Sequence, residues 1–455
     1  MTKFALAGSR SKSLPVWLLA PGEIATQKEI GDTAKAWAKA NGFDGQASRL
    51  LRVPDSDGNI AEILFGIGKD HSPFHVGKLA NELEKGAYHF ANQPDDAHHA
   101  CLGWLLGAYR FTRYNDKDQC AARLVLPKGV DQNNLETEAG ACYLARDLIN
   151  TPANDMGPQE LEDAVRKLGR EHKARVTVIK GDKLLEKNFP MIHAVGRASD
   201  NAPRLIDLTW GSKDHPRVTL VGKGVIFDTG GLNIKPGTSM ALMKKDMGGA
   251  ANTIALAQMV MMAKLPVRLR LLVPAVENAI SGNAFRPGDI LSSRKGMTVE
   301  IGNTDAEGRL ILGDALAYGD EESPDLMVDM ATLTGAARVA LGPDLPPFYT
   351  HDDELADALT DAGQSRHDPL WRMPLWKPYQ KMLSSRVADV NHISTGGFAG
   401  SITAALFLSR FVEKAGSWAH FDIYGWNPSS KPWSSIGGEA QGIRALLEVL
   451  TKRYG

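Results

Sequence analysis

The sequence is short of the features that would place it in several protein classes. It has 3 cysteines in 455 residues, Cys101, Cys120 and Cys142, an odd number set far apart. None forms a C-x-x-C pair, which removes the common cysteine zinc and dithiol sites and points to reduced, part-buried thiols in a cytosolic protein. Long apolar runs are missing too. The longest apolar helix candidate, Thr253 to Ala263, falls well short of the ~20 residues that cross a bilayer. The run from Leu14 to Ala20 contains Pro15 and is soon followed by Glu23, so it is expected to be a buried strand and not a secretion signal. Nor is there an excess of charge: 52 basic and 53 acidic side chains leave a net charge of -1. That balance gives no electrostatic case for nucleic acid or an anionic membrane as a partner. The HExxH signature is absent, which removes the mononuclear zinc protease site of that type.

What is present is the composition of a globular protein, 43% hydrophobic and 23% charged, on a chain long enough for two domains. The first 130 or so residues alternate strand-like stretches (PVWLLAP, ASRLLRVP, NIAEILFGIG, ARLVLP) with helical ones. This predicts an α/β layer domain over 1–132 with no chemical motif. His71, His75, His89, His98 and His99 lie in polar, varied contexts and are expected to be surface or locally hydrogen-bonded. A helix over 133–150 then links to a break at NTPANDMGP, rich in proline, asparagine and glycine. From 151 to 455, strand-like segments such as RVTVIKG, PRLIDLTWG and VRLRLLVPAVEN alternate with helices, predicting one large α/β domain around a central mixed sheet.

The second domain carries polar residues in unusual places. In LVGKGVIFDTGGLNIKP an apolar strand holds Lys223 and ends at Asp228, a glycine pair turns the chain, and Lys235 follows. Asp246 precedes an apolar helix near Met247. NTDAEGRL sets Asp305, Glu307 and Arg309 at every second position. Each has an ordinary explanation alone: a snorkelling lysine, an N-cap acid, a turn residue, a helix-start ion pair. Asp314, Asp320, Glu321 and Glu322 are assigned to the solvated face or end of the following helix. Together, however, the first group lies at strand ends and a helix N-terminus, where open α/β sheets place ligands. Four converging carboxylates in a partly buried site repel one another unless cations are present. Two divalent ions would balance them, as in two-metal hydrolases, with Lys223 as a neutral amine ligand. Lys235 and Arg309 would then be free to stabilise an oxyanion or hold a second anion.

VGKGVIFDTGGLNIKP, MKKDMGGA and NTDAEGRL, in this order and spacing, resemble the three signature stretches of the leucyl aminopeptidase family. TLTGA, AGSITAALFLSRF, WAHFDIYG and RDLINTPANDMGP resemble it as well, so the likeness covers roughly residues 145 to 455. The first domain resembles the family only in size and α/β character. The resemblance implies a two-domain subunit that releases N-terminal residues, leucine-like ones among them, from peptides with a free N-terminus. It implies two zinc or manganese ions held by Lys223, Asp228, Asp246, Asp305 and Glu307, with Asp228 and Glu307 bridging both ions and a hydroxide shared between the ions. Lys235 would polarise the scissile carbonyl and stabilise the tetrahedral intermediate, and Arg309 would hold a bicarbonate that acts as general base. Met243, Thr332, Leu333 and Gly335 match positions lining the substrate site. A cytoplasmic homohexamer is implied, with no membrane partner. GWNPSSKPWSSIGGEAQ falls where the family shapes the pocket for the first side chain. Two other readings compete: a DNA- or nucleotide-binding protein on the same scaffold, and a two-metal phosphoesterase.

Overall fold

The computed structural model describes residues 4–69, 72–115 and 120–455, which divide into two compact units. One comprises the described residues up to Tyr143 with Pro428–Ile436; the other is Leu144–Asn427 with Gly437–Gly455.

The first unit is a six-stranded sheet of β1 (Leu6–Ala7), β2 (Leu14–Leu19), β3 (Leu50–Pro54), β4 (Ile60–Gly66), β5 (Gly86–Phe90) and β6 (Ala122–Val125). Their spatial order is β1-β6-β5-β2-β4-β3, parallel except for the β3–β4 pair. Helices α1 (Asp32–Ala40) and α2 (Ala97–Ala108) belong to it. α2 is apolar nearly all round and correspondingly buried, including Trp104 and Leu105. The histidines here are locally partnered: Ser13 Oγ lies 2.9 Å from His89 Nδ1, and His98 and His99 pair with Glu138 and Asp96. His71 lies outside the described residues.

The segment 428–436 departs from the sequence boundary, which had placed it with residues 151–455. It packs in the first unit because its own Trp and Pro supply contacts there. The Trp433 ring sits 5.7 Å from Phe74, and Pro432 lies so close to Gly77 that a Cβ on that glycine would meet the Pro432 carbonyl at 2.6 Å.

The second unit is built on nine strands: β7 (Arg175–Lys180), β8 (Arg204–Trp210), β9 (Arg217–Gly222), β10 (Gly224–Asp228), β11 (Arg268–Asn278), β12 (Leu326–Ala331), β13 (Pro347–Thr350), β14 (Trp371–Arg372) and β15 (Trp418–Asp422). The order is β14-β13-β15-β12-β9-β11-β8-β7, with β10 added on β11. Parallel and antiparallel pairs coexist, so the sheet is mixed. The helix α3 (Gln132–Asn150) carries the division between units at Tyr143. α4 (Gly248–Met262) is buried on all sides, and its GGAA start explains how. A Cβ at Gly249 would lie 2.1 Å from the Met330 carbonyl, so only glycine lets this helix approach β12 so closely. α5 (Glu307–Asp320), α6 (Gly335–Leu341) and α7 (Ile443–Tyr454) follow.

Two acids on α5 are not solvated, contrary to the sequence expectation. Asp314 is fully buried and accepts backbone N–H bonds from Met191, Ile192 and Arg294. Asp320 is buried and accepts from the backbones of Glu413, Lys414 and Ala415. Each caps chain segments that lie far away in sequence. Glu321, in contrast, is at the surface and pairs with Arg294.

Candidate metal centre

Lys223 occupies a one-residue break between β9 and β10. Its N–H still bonds to the Met330 carbonyl, and its own carbonyl accepts from Ala250. The interruption turns its side chain into a cavity of about 430 Å³ lined entirely by residues of the second unit. There Lys223 Nζ lies 2.7 Å from Asp246 Oδ2 and 3.1 Å from Glu307 Oε1, and donates to the Thr332 carbonyl at 3.0 Å. Asp228 ends β10, with Oδ1 accepting from Gly230 N and Asn278 Nδ2, both at 2.8 Å. Its Oδ2 faces Lys235 Nζ at 2.8 Å, and Lys235 reaches Asp305 Oδ1 at 2.5 Å. The two lysines thus thread between four carboxylates.

The glycines of the motifs make this convergence possible. Gly230 and Gly231 adopt φ of 86° and 61°, and a Cβ at Gly230 would lie 2.9 Å from Asp305 Oδ1. At Gly308 a Cβ would sit 2.5 Å from Lys223 Cε, so the first turn of α5 must be bare where the lysine crosses it. Asn303 caps the turn before α5 by accepting from Asp305 N at 2.8 Å. The alternation of NTDAEGRL therefore delivers Asp305, Glu307 and Arg309 to one wall of the cavity.

Electrostatics marks the cluster as strained when only protein groups balance it. Burial, then the Glu307 and Asp246 carboxylates, push the Asp228 carboxyl well above its usual range, against Lys235 and Lys223. Burial likewise raises Asp246 and Asp305, opposed by the lysines. For Glu307 burial works against the carboxylate, but Lys223 and Lys235 outweigh it and hold the group low. Lys223 is the mirror case: burial opposes its charge, and Asp246, Glu307 and Asp228 together raise it. Burial pulls the Arg309 guanidinium down to about 10, while Asp422 and Glu307 act the other way.

The donor set fits divalent cations. Oxygens of Asp228, Asp305 and Glu307 lie within 4.8 Å of one another. Glu307 Oε2 is buried without a hydrogen-bond partner, as is Arg309 Nε. A buried carboxylate oxygen with no donor is costly unless something cationic takes it.

All eleven residues singled out in the sequence line this cavity: the four acids and one lysine of the expected ligand set, Lys235, Arg309, Met243, Thr332, Leu333 and Gly335. Sequence reasoning passed over others. Asp422 ends β15 and holds the 332–335 loop, accepting from Leu333 N (3.1 Å), Thr334 N (3.0 Å) and Thr334 Oγ1 (2.6 Å). Asn278 ends β11 and orients Asp228. A polar residue closing an apolar strand, the signal that exposed Asp228, would have found both. His392 accepts Arg309 Nη1 on its backbone carbonyl at 2.7 Å and braces Asn303 with its ring. Lys245 and Tyr424 also line the cavity.

The catalytic-domain model of the cytosol aminopeptidase family matches residues 143–447, and the N-terminal domain model of the M17 aminopeptidases matches 14–127. The first unit therefore shares more with the family than size and α/β character. The probable cytosol aminopeptidase of Agrobacterium fabrum is 38% identical, over 99% of this chain and 98% of its own length. That of Chlorobaculum tepidum is 37% identical, over 92% and 89%. The crystal structure of the cytosol aminopeptidase from Coxiella burnetii superposes with a TM-score of 0.95 at 46% identity, covering 99% of this chain and 100% of that one. The bottromycin maturation enzyme BotP in complex with Mn superposes with a TM-score of 0.87 at 31% identity, covering 97% and 99%. Fold and site define a two-domain hydrolase of the metallo-exopeptidase type. The chain belongs to the cytosol aminopeptidase family.

Proposed function

We propose that this protein removes N-terminal residues, leucine-like ones among them, from peptides by two-metal hydrolysis. One observation carries the reading: four carboxylates and two lysines converge on one strand-end cavity, and a buried oxygen of Glu307 is left without a donor. Lys223, Asp228, Asp246, Asp305 and Glu307 would hold the two ions. A set of carboxylates and one amine suits manganese, and zinc is the second candidate. When bound, such ions polarise a carbonyl and supply a nucleophile from water at neutral pH.

The chain's own groups do the rest. Lys235, released from Asp228 and Asp305, places its ammonium on the oxyanion that forms from the scissile carbonyl. Arg309, fixed through Nη1 to the His392 carbonyl, offers Nε to a small anion such as bicarbonate, which takes the proton from the attacking water. Leu242, Met243 and Ile423 line the cavity and give an apolar first side chain its contacts. Thr332 donates to Asp246 Oδ1 at 3.0 Å and keeps that carboxylate in register. The requirement for a free amine makes this an exopeptidase, favoured at mildly alkaline pH where the amine is neutral.

The family reading further proposes a homohexamer acting in the cytoplasm. No helix among the described residues is long and apolar enough to cross a membrane, and the net charge of -1 offers nucleic acid no general attraction. The test is hydrolysis of Leu-p-nitroanilide beside its N-acetylated form and p-nitrophenyl phosphate, with and without chelator. Only the free-amine substrate should be cleaved, and only with metal restored. Equal cleavage of the acetylated substrate would rule out the amine-anchored pose, and preferential phosphate release would favour a phosphoesterase.

A further inference from the structure

Lys245 stands out among the cavity residues because nothing in the hydrolytic scheme uses it. It is 6% exposed, lines the cavity, and its ammonium has no hydrogen-bond or ion-pair partner among the described residues. It lies 4.8 Å from the centroid of the Tyr424 ring. Arg338, from α6, lies 5.4 Å from the same centroid. Two cations thus lie against one aromatic ring in the cavity lining. The nearby carboxylates are committed elsewhere: Asp246 to Lys223 and Thr332, Asp422 to the backbone of 333–334 and the hydroxyls of Thr334 and Ser401. A charge at the end of a largely buried side chain, with no counter-ion paired to it, is costly, and cation–π contact offsets only part of that cost.

We propose that Lys245, with Arg338 beside it on Tyr424, binds the side-chain carboxylate of an acidic N-terminal residue, so that the pocket accepts glutamate-type as well as leucine-like first residues. The inference rests on the aminopeptidase reading. Lys245 adjoins Asp246 in the chain, and Asp246 belongs to the set that would hold the ion anchoring the substrate amine. The first side chain branches from the carbon that bears that amine, so it is delivered to this wall. Leu242 and Met243 would pack against the two methylenes of glutamate, and the carboxylate would supply the missing counter-charge. Leucine uses the same apolar contacts and leaves the cations to water.

The test compares Glu- and Gln-p-nitroanilide, which are isosteric, differ in charge and lack a C-terminal carboxylate. The wild-type enzyme should favour Glu over Gln in kcat/KM by roughly tenfold to a hundredfold, the range for one charge-assisted hydrogen bond. K245M should bring the ratio near one, mainly through KM, and K245R should restore it. Calorimetric binding of free L-glutamate against L-glutamine to manganese-loaded protein gives the same comparison without turnover. A wild-type ratio near one in both measurements overturns the proposal, as does a K245M protein that folds by circular dichroism and keeps the preference. If K245M does not fold, the wild-type ratios decide alone. Should Leu-, Gln- and Glu-p-nitroanilide all be inert with metal restored, the aminopeptidase reading fails, and the calorimetric ratio still decides whether Lys245 reads an acidic side chain.

Discussion

Both units are α/β sheets with mostly parallel neighbours in the first and mixed pairing in the second, yet their strands end differently. In the first unit β2, β4, β5 and β6 close on Leu19, Gly66, Phe90 and Val125. In the second, β10, β11 and β15 close on Asp228, Asn278 and Asp422, β12 runs into Thr332, and Lys223 breaks the sheet between β9 and β10. Apolar strand ends complete a core. Polar ends only a few per cent exposed, as Lys223, Asp228 and Asp422 are at 3%, 2% and 2%, cost stability unless each is paired or holds a ligand. The comparison teaches that similar layer architectures are told apart by the chemistry of a few terminal positions.

The comparison breaks most easily at a strand-end acid or its partner. Asp246→Ala should lower metal occupancy and take peptidase activity to background. Phe90→Leu, a substitution of a strand-end residue in the first unit, should leave metal content unchanged and cost stability by ~1 kcal/mol. Elemental analysis and denaturant titration of the two variants check this; equal metal content would remove the distinction between the units.

Lys235→Ala sharpens the division of labour inside the site. Both metals should stay bound while turnover falls by ~10²–10³. Loss of metal would make Lys235 a ligand or structural prop, and full turnover would leave it without a catalytic role.

Asp422→Ala should act through position. It removes the acceptor for two backbone N–H groups and two hydroxyls. A loss of about 2 kcal/mol in stability is expected. Loosening of the 332–335 loop should lower kcat/KM about tenfold. Unchanged kinetics with lowered stability would confine Asp422 to the fold.

The smallest effect is a pH dependence in the metal-free protein. Burial, then Arg309, hold the His392 imidazole down at about 3, against an ordinary value of 6.5. The folded state therefore favours the neutral ring. The resulting stabilisation is present above the ordinary pKa and is lost as pH falls from there towards 3. Asp228 and Asp246, whose carboxyls are raised, act in the opposite direction and gain as pH falls. Comparing His392→Gln with wild type by denaturant midpoints at pH 7 and pH 4.5 isolates the histidine: the variant should lose less on acidification.

The lining of the cavity was legible because its signals are local. Glycine turns, strand ends and a helix start lie within three short stretches, so the sequence already shows which side chains have a chance to converge. The sequence also located the helices Gln132–Asn150 and Gly248–Met262 to within a few residues. What was illegible depends on distant partners. Asp314 and Asp320 look like solvent-facing acids until the chain near 191 and 414 folds onto them. The segment 428–436 joins the first unit through Trp433 and Phe74, residues hundreds of positions apart. Lys245 reads as one more lysine in MKKDM, and only the tertiary fold buries it against Tyr424.

The central claim is that the strand-end cluster of the second unit is a two-metal hydrolytic site. The most direct measurement is metal stoichiometry against activity. The protein is stripped with chelator, titrated with manganese or zinc, and read for bound metal per chain and for Leu-p-nitroanilide hydrolysis at each point. Two ions per chain should bind, with activity absent in the stripped protein and complete at full occupancy. Full activity in demonstrably metal-free protein, or undiminished binding of two ions with full activity in Asp246→Ala, would contradict the account.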